Sequence, residues 1–232
     1  IGQNALTLQN AGADAYNVGI GYHAGTAVTT GVQNTLIGGL AGDAITTAGN
    51  NTAVGYASLS ANTTGTRNVA MGTLALYNNT TANDNVAIGY DAATANTTGT
   101  QNTIIGTYAF DANTTGSYNT AVGRASLSSN TTASNNTALG YAALEANTTG
   151  AQNVAVGRLA LDANTTANSN TAIGNASMTA NTTGAENTAV GDGSMRDNTT
   201  ASNNTAVGFN ALTANTTGAQ NTAVGQGAGE SN

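Results

Sequence analysis

An asparagine recurs every 17 residues along almost the whole chain, and this fixed period limits the possible folds more than any other feature. It occurs thirteen times from Asn17 to Asn221, and a glycine stands four positions after each occurrence. A unit of 17 residues is too short for two packed helices, and it lacks the 3.6-residue apolar spacing of a helix. It suits one coil of a β-solenoid, in which each turn stacks on the last through main-chain hydrogen bonds. The period therefore predicts an all-β, parallel β-solenoid of 17-residue coils.

With the repeated asparagine as position zero, the apolar residues fall into columns. Position one is always Thr or Val, position two is usually Ala, and position three is always aliphatic or Met. This alternation indicates a β-strand in which positions one and three share a face. A second apolar column, mostly Leu, lies at position eight, as in Leu59 and Leu144. We expect positions three and eight to form the core of each coil.

The polar columns are equally regular. Positions twelve and thirteen are Thr-Thr in all twelve complete coils, and Asn fills position eleven in ten of them. Asn and Gly suit corners because both accept left-handed backbone angles at low cost. Identical side chains stacked about 4.8 Å apart in successive coils can also bond to one another in ladders. In one representative coil, the predicted structural ladder consists of Asn51, Gly55, Asn62, Thr63 and Thr64.

Charged residues are few: four arginines, no lysine and eleven acidic residues, which give a net charge of −7. This balance gives no cluster of positive charge that would bind nucleic acid or anionic lipid. No apolar run approaches the roughly 20 residues that cross a bilayer. We therefore expect neither nucleic-acid binding nor membrane insertion. From residue 17 onward the charges occur only at positions five, six, nine, ten and sixteen, which we expect to face solvent.

Regularity divides the chain into four predicted segments. Residues 1–16 form an irregular partial first coil, residues 17–50 two diverged coils, residues 51–220 ten regular coils, and residues 221–232 an incomplete last coil of a longer fibre. A coil with two or three aliphatic side chains has a thin core, near the limit of independent stability. Columns of Ala and Ser suit the close approach of another chain. We therefore predict lateral association into a homotrimeric rod.

No residue pattern supports catalysis, and we predict a non-enzymatic protein without a cofactor or a metal site. The single histidine, His23, occupies a solvent-type position, and there is no cysteine. Asp192 and Asp197 are the nearest acidic pair, but they lie on different columns with Arg196 between them. This placement favours a solvated face over acid–base chemistry. Acidic residues recur at position nine, but adjacent coils seldom both carry one, and the Gly-Gly-x-Gly-x-Asp calcium repeat is absent.

Five aromatic residues share position five and are the candidates for surface contact: Tyr22, Tyr56, Tyr90, Tyr141 and Phe209. Aromatic rings on an outer face can stack on sugar rings. The alternative is that they cover a seam between chains or coils, because the same column also holds Thr, Arg, Asn, Asp, Gln and Gly. The Asn-Thr-Thr triplets match the acceptor for N-glycosylation, but a structural ladder explains them as well. A flat row of threonines can also order water and bind ice. Adjacent threonines, however, point to opposite faces, so at most one row is exposed.

The repeated phrase also resembles known fibrous proteins. Asn-Val-Ala-Ile-Gly, at residues 85–89, resembles the Ala-Ile-Gly repeat in the head domains of trimeric autotransporter adhesins. The fuller phrase Asn-Thr-Ala-Val-Gly-Tyr, at residues 51–56, is similar to arrays in predicted phage tail fibres. The adhesin resemblance implies a left-handed parallel β-roll, three chains wound side by side and an exposed adhesive surface.

Together, the repeat and the resemblance predict a structural and adhesive fibre segment. We expect a trimeric phage tail fibre or a similar extracellular filament that carries or presents a receptor-binding surface. The alternative is the head domain of a bacterial trimeric surface adhesin. The expected partners are two further copies of the chain and a host glycan or protein receptor, and the expected location is extracellular, on a virion or on a bacterial surface.

Overall fold

The computed structural model describes residues 2–10 and 14–230, and every regular element in these two ranges is a short β-strand. The chain divides after Tyr118 into two compact units, which we call unit 1 and unit 2. Residue 1 and residues 11–13 belong to the predicted irregular first coil, and residues 231–232 to the predicted last coil. These six residues lie outside the described part of the chain.

Each strand covers positions one to three of its coil. Unit 1 contains β1 (Val18–Ile20), β2 (Thr35–Ile37), β3 (Thr52–Val54), β4 (Val69–Met71), β5 (Val86–Ile88) and β6 (Thr103–Ile105). Unit 2 contains β7 (Thr120–Val122), β8 (Thr137–Leu139), β9 (Val154–Val156), β10 (Thr171–Ile173), β11 (Thr188–Val190), β12 (Thr205–Val207) and β13 (Thr222–Val224). Within each unit, consecutive strands pair in parallel, and every residue lies opposite the residue 17 positions later. The predicted parallel β-solenoid with 17-residue coils is confirmed.

Hydrogen bonds between coils continue beyond the strands. The amide of Leu59 donates to the carbonyl of Ala75 at 3.0 Å, and the amide of Ala61 donates to the carbonyl of Tyr77 at 2.9 Å. Further round the same coil, the amide of Thr63 bonds to a carbonyl of the next coil at 2.9 Å. Three-residue strands alone would be weak elements. Because the bonding extends round the coil, each coil acts as a template for the next along most of its path.

The core differs from the sequence-based expectation at position three. Positions two and eight are buried, as in Ala53 and Leu59, together with the small residues at position seven, whereas Val54 at position three is only half-buried and faces away from the core. Adjacent strand residues point to opposite faces, so that only one of the two columns can be interior. In most coils Leu at position eight fills the narrow interior. The methyl group of Ala at position two then fits opposite it. The prediction that position three lies in the core is therefore wrong.

Substitutions within the two core columns compensate for one another in volume. Leu36 replaces Ala at position two in the coil whose position eight is Gly42, and a side-chain carbon added to Gly42 would lie 2.8 Å from the end of Leu36. In another coil, Ile104 and Phe110 are both large and both fully buried, and Ala93 fills position eight of the coil before them. Close packing explains this exchange, since interiors tolerate neither voids nor overlap.

The other half of the interior is polar and is built from the Asn columns at positions zero and eleven. Asn51 and Asn62 are buried, and both donate through Nδ2 to the carbonyl of Gly65, at 2.9 Å each. The Oδ1 atom of Asn51 accepts from the amide of Asn68 at 3.0 Å, and that of Asn62 accepts from Nδ2 of Asn79, also at 3.0 Å. Buried amides therefore bond within their coil and along the stack, as buried polar groups require.

Left-handed backbone occurs at positions four, six, eight and sixteen, and the buried asparagines do not adopt it. In one coil these positions are Gly55 (φ 140°), Ala57 (φ 51°), Leu59 (φ 54°) and Arg67 (φ 58°). The expectation that the columns containing Asn51 and Asn62 form left-handed corners is therefore wrong. Their side chains are needed inside the coil, and other residue types accept the corner geometry.

The two threonine columns have different environments. Thr63 is half-buried, and its hydroxyl donates to the carbonyl of Thr80 at 3.2 Å. The next column, at position thirteen, is exposed in every complete coil, as in Thr64. Only one threonine rank therefore faces solvent.

Candidate binding surface

The side chains at position five, which we call column five, form a row on the outside of each unit. Position four before them is a left-handed glycine that turns the chain away from the strand. The backbone of column five is held in place because its carbonyls accept from amides of the next coil, as between Tyr141 and Leu159 at 2.9 Å. The five predicted contact residues are between 46% and 57% exposed: Tyr22, Tyr56, Tyr90, Tyr141 and Phe209. The structure brings them onto one outer column of each unit, within reach of a ligand in solvent.

The aromatic residues of unit 1 occupy alternate coils of column five. Tyr22, Tyr56 and Tyr90 are separated by Gly39 and Thr73, and two coils correspond to about 10 Å. The coils with a tyrosine have Gly at position fourteen, whereas the coils between them have Ala there. From Asn17 to Gly99 the chain thus contains a 34-residue double repeat within the 17-residue period, and Gly116 in the next coil interrupts the alternation. This alternation of Gly and Ala is a sequence signal that the 17-residue period alone does not show.

Column five of unit 2 begins with a stack of two arginines and a tyrosine in consecutive coils. The guanidinium carbon of Arg124 lies 5.7 Å from the ring centroid of Tyr141, and that of Arg158 lies 5.9 Å from it. A nitrogen of Arg124 also donates to the Tyr141 hydroxyl at 3.4 Å. Both distances from a guanidinium carbon to the ring centroid fall within the range of cation–π attraction. One exposed tyrosine therefore holds two guanidinium groups, one from each neighbouring coil.

The four arginines of the chain fall into two classes. Arg67 makes a two-point contact with Asp84, at 2.6 and 2.8 Å, and Arg196 makes one with Asp197, at 3.0 and 3.2 Å. The Asp84 pair lowers the pKa of that carboxyl below its usual value, chiefly through the hydrogen bond from the guanidinium. The remaining two, Arg124 and Arg158, have no carboxylate within 4 Å in the part of the chain that the structure describes. They are therefore the two cations open to an external anion.

A pair of carboxyl groups lies beside this stack, at position nine of two consecutive coils. Burial, as the main cause, and the negative charge of Glu145, as a smaller one, raise the pKa of Asp162 to about 6 against the opposing effects of backbone hydrogen bonds and Arg158. The Oδ1 atom of Asp162 is buried without a hydrogen-bond partner. Asp162 is thus partly protonated near neutral pH, and it weakens the positive charge of Arg158 less than an ordinary aspartate would.

The other candidate residues for catalysis or metal binding lie apart from one another. Asp197 pairs with Arg196, whereas Asp192 contacts Asn175 at 3.4 Å. His23 is half-buried, and its Nε2 atom lies 3.0 Å from Nδ2 of Asn4. Among residues 2–10 and 14–230, no three His, Cys, Asp or Glu side chains come together as a metal site would require. In the same residues, no helix is long and apolar enough to cross a membrane.

A second outer surface lies on the strands and was not expected. The side chains at position three, which we call the outer aliphatic column, are half-exposed or exposed in every coil. Leu139 is 46% exposed and Ile173 is 39% exposed. The neighbouring position one holds only Thr and Val, and neither position carries a charge. Each unit therefore presents an uncharged, largely apolar strip along its sheet.

Comparisons with known proteins find no match: no protein-family model, no curated protein and no solved structure is similar to this chain at a significant level. The resemblance to adhesin heads and tail-fibre arrays therefore stays a prediction based on the repeated phrase.

Proposed function

We propose that this chain is a non-enzymatic structural and adhesive segment of a trimeric phage tail fibre or a similar extracellular filament. Its coils supply stiffness and spacing, and its outer surface carries or presents receptor contacts. The trimer, the left-handed winding and the extracellular location follow the resemblance to trimeric adhesin heads and tail-fibre repeats. The observation that supports association most directly is the outer aliphatic column.

The outer aliphatic column supports a partner chain because of its position and continuity. Monomeric soluble proteins rarely expose contiguous apolar strips along an ordered surface. Here aliphatic side chains recur in register on paired strands, so that the strip runs along the stack without a charged residue. The same strip on each of three copies can be covered in a closed ring, as symmetric assemblies require. The repeat itself supports a fibre, because every coil repeats the same contacts with the next.

Association is tested with paired lysine substitutions in unit 2. The variant Leu139→Lys/Ile173→Lys places charges on the outer aliphatic column. The control variant Thr149→Lys/Thr183→Lys places the same charges on exposed position thirteen of the same two coils. In sedimentation equilibrium we expect trimers for the wild type and the control, and monomers for the first variant. A wild-type monomer at all concentrations would contradict the proposal.

The alternative function is the head domain of a bacterial trimeric surface adhesin, which the Ala-Ile-Gly phrase at residues 87–89 favours. Antibody against the chain separates the two in electron micrographs of native material. Labelling of a filament on a virion supports the tail fibre, whereas labelling of a bacterial surface without virions supports the adhesin head. Labelling confined to the cell interior would contradict both.

A further inference from the structure

The geometry points to a binding site for an acidic polysaccharide on column five of unit 2, formed by Arg124, Tyr141 and Arg158. The inference rests on the proposed function only in that column five must be reachable by a glycan outside the cell. It assigns a ligand class to a surface for which the proposed function specifies only a receptor.

The first argument is the free charge of the two arginines. The chain has four cations, and Arg67 and Arg196 are each neutralised by a carboxylate held at two points. Arg124 and Arg158 are exposed and instead stack on the tyrosine between them. One nitrogen of Arg124 donates to the Tyr141 hydroxyl, and the other N–H groups of the two guanidiniums can bind carboxylate or sulfate oxygens with good geometry.

The second argument is the order of the three side chains. Backbone bonds fix the coils, so the two arginines stand about 10 Å apart with the tyrosine midway. A single small anion cannot reach both guanidinium groups at that separation. A polysaccharide with charges on successive or alternate rings can, because it presents anion, ring and anion in the same order. An exposed tyrosine offers an apolar face with a polar edge, which suits a sugar ring.

The third argument is the chemistry of the following coils. Asn175 and Asp192 continue column five after Arg158 and contact each other at 3.4 Å, and Phe209 follows them. Amide and carboxylate groups bond to hydroxyls, and a second aromatic ring extends the stacking surface. The negative charge of Asp192 excludes an anion there. The acidic groups of the ligand are therefore expected at the arginine end only.

A nucleic acid fits this surface less well. Single strands bind to positively charged grooves that follow the phosphate backbone, with a charge at every nucleotide. Here the free cations are two, and the chain has a net charge of −7. Glu145 and Asp192 add negative charge near the same surface. An acidic polysaccharide with wider charge spacing avoids most of this repulsion.

The test measures binding of the full chain to immobilised polygalacturonate and dextran sulfate, with unsubstituted dextran as the neutral probe. The variant Arg124→Gln/Arg158→Gln removes the two free cations. The control variant Arg67→Gln/Arg196→Gln removes two cations that are already paired, and the net charge changes equally. We expect the first variant to weaken binding to polygalacturonate at least about tenfold and the control to change it by less than about twofold. Tyr141→Ser should also weaken it, whereas Tyr141→Phe should not.

Several outcomes would overturn the inference: equal losses in the two arginine variants, no binding to either acidic probe, or tighter binding to a thymidine homopolymer than to polygalacturonate. Dissociation of the assembly by Arg124→Gln/Arg158→Gln would overturn it as well, because column five would then be a seam between chains. Sedimentation of the same samples separates the two proposals. A trimer that does not bind acidic polysaccharide contradicts only the glycan site, whereas a monomer that binds through these arginines contradicts only the fibre.

Discussion

At the scale of single residues, the glycine at position four is the most tightly constrained. In Gly140 the backbone is left-handed, with φ 143°, and a Cβ atom added there would collide with the carbonyl group of Gly157 in the next coil. Two separate effects thus exclude other residues: the backbone conformation and the closeness of the next coil.

These two effects make alanine far more costly at position four than at an ordinary glycine. Gly39 has a φ outside the left-handed region, and the nearest atom to an added Cβ is a ring carbon of Tyr56, at 3.5 Å. We expect Gly39→Ala to change the free energy of unfolding by less than about 0.5 kcal/mol, and Gly140→Ala to lower it by more than about 3 kcal/mol. Urea denaturation followed by circular dichroism measures both. Comparable losses would show that position four imposes no special limit.

Asp162 makes stability depend on pH through its raised pKa. Its folded pKa of about 6 lies above the ordinary value near 3.9, so the folded chain binds this proton more tightly than the unfolded chain. The contribution of this group is therefore most favourable in acid, and it is lost as the pH rises from about 4 through 6. We expect Asp162→Asn to stabilise the protein at pH 7.5 by about 1 kcal/mol, after allowing for the half-exposed side chain.

The pH dependence itself provides the check. The gain from Asp162→Asn should shrink to nearly zero at about pH 3, where this carboxyl is protonated in both the folded and the unfolded wild-type chain. The exposed substitution Glu186→Gln serves as the control and should change stability little at either pH. A loss of stability in Asp162→Asn at pH 7.5 would show that the ionised carboxylate is favoured in the fold.

At the scale of one coil, the sheet and the polar ladder act together. Asn153 is buried, donates through Nδ2 to the carbonyl of Ala167 at 2.8 Å, and accepts through Oδ1 from the amide of Asn170 at 3.0 Å. It therefore joins the two sides of its own coil and also binds the next. Its Nδ2 atom also donates to Oδ1 of Asn136 in the previous coil at 3.3 Å, so both amide donors and the amide acceptor are used, which explains why no other residue occupies position zero.

Replacing one amide by a carboxylate tests this role. Asn153→Asp keeps the shape but removes the donors and buries a charge, and we expect a loss of more than about 3 kcal/mol in unfolding free energy. Asn168→Asp is the matched control, because Asn168 is exposed and only its Oδ1 atom is used, accepting from Ala151 at 2.7 Å. That variant should stay within about 0.5 kcal/mol of the wild type. Similar losses in both would contradict a special role for the buried column.

The sequence predicts the coil well because its period is unbroken, but it does not by itself predict which side of the strand is inside. Alternation places positions one and three together, and large aliphatic residues at position three suggest a core. The interior of the coil is too narrow to hold the position-three side chains as well. Its width depends on which columns face each other across the coil, and the strand pattern does not give that. The exchange of Leu36 with Gly42 was the available signal, because only facing columns compensate in volume. Likewise, the 17-residue spacing places Arg124 and Tyr141 in neighbouring coils, but it does not predict that the guanidinium lies over the ring.

At the scale of the whole molecule, the exposed strip on the strands implies that stability depends on protein concentration. A chain that buries its outer aliphatic column against other copies is stabilised by mass action, since the partners bind the folded form only. We therefore expect the melting temperature of the wild type to rise with concentration over a hundredfold range. The control Thr149→Lys/Thr183→Lys should behave in the same way, because position thirteen lies away from the strip.

The variant Leu139→Lys/Ile173→Lys should lose this dependence. Both side chains are already more than one-third exposed, so lysine costs little in the isolated chain. In an assembly, however, each charge would be buried without a partner, and association becomes unfavourable. We expect a lower melting temperature that is independent of concentration, with an unchanged β-type circular dichroism spectrum at low temperature. If the wild type itself melts at the same temperature at every concentration, its strands are stable while exposed to solvent. The strip then does not bind other copies of the chain.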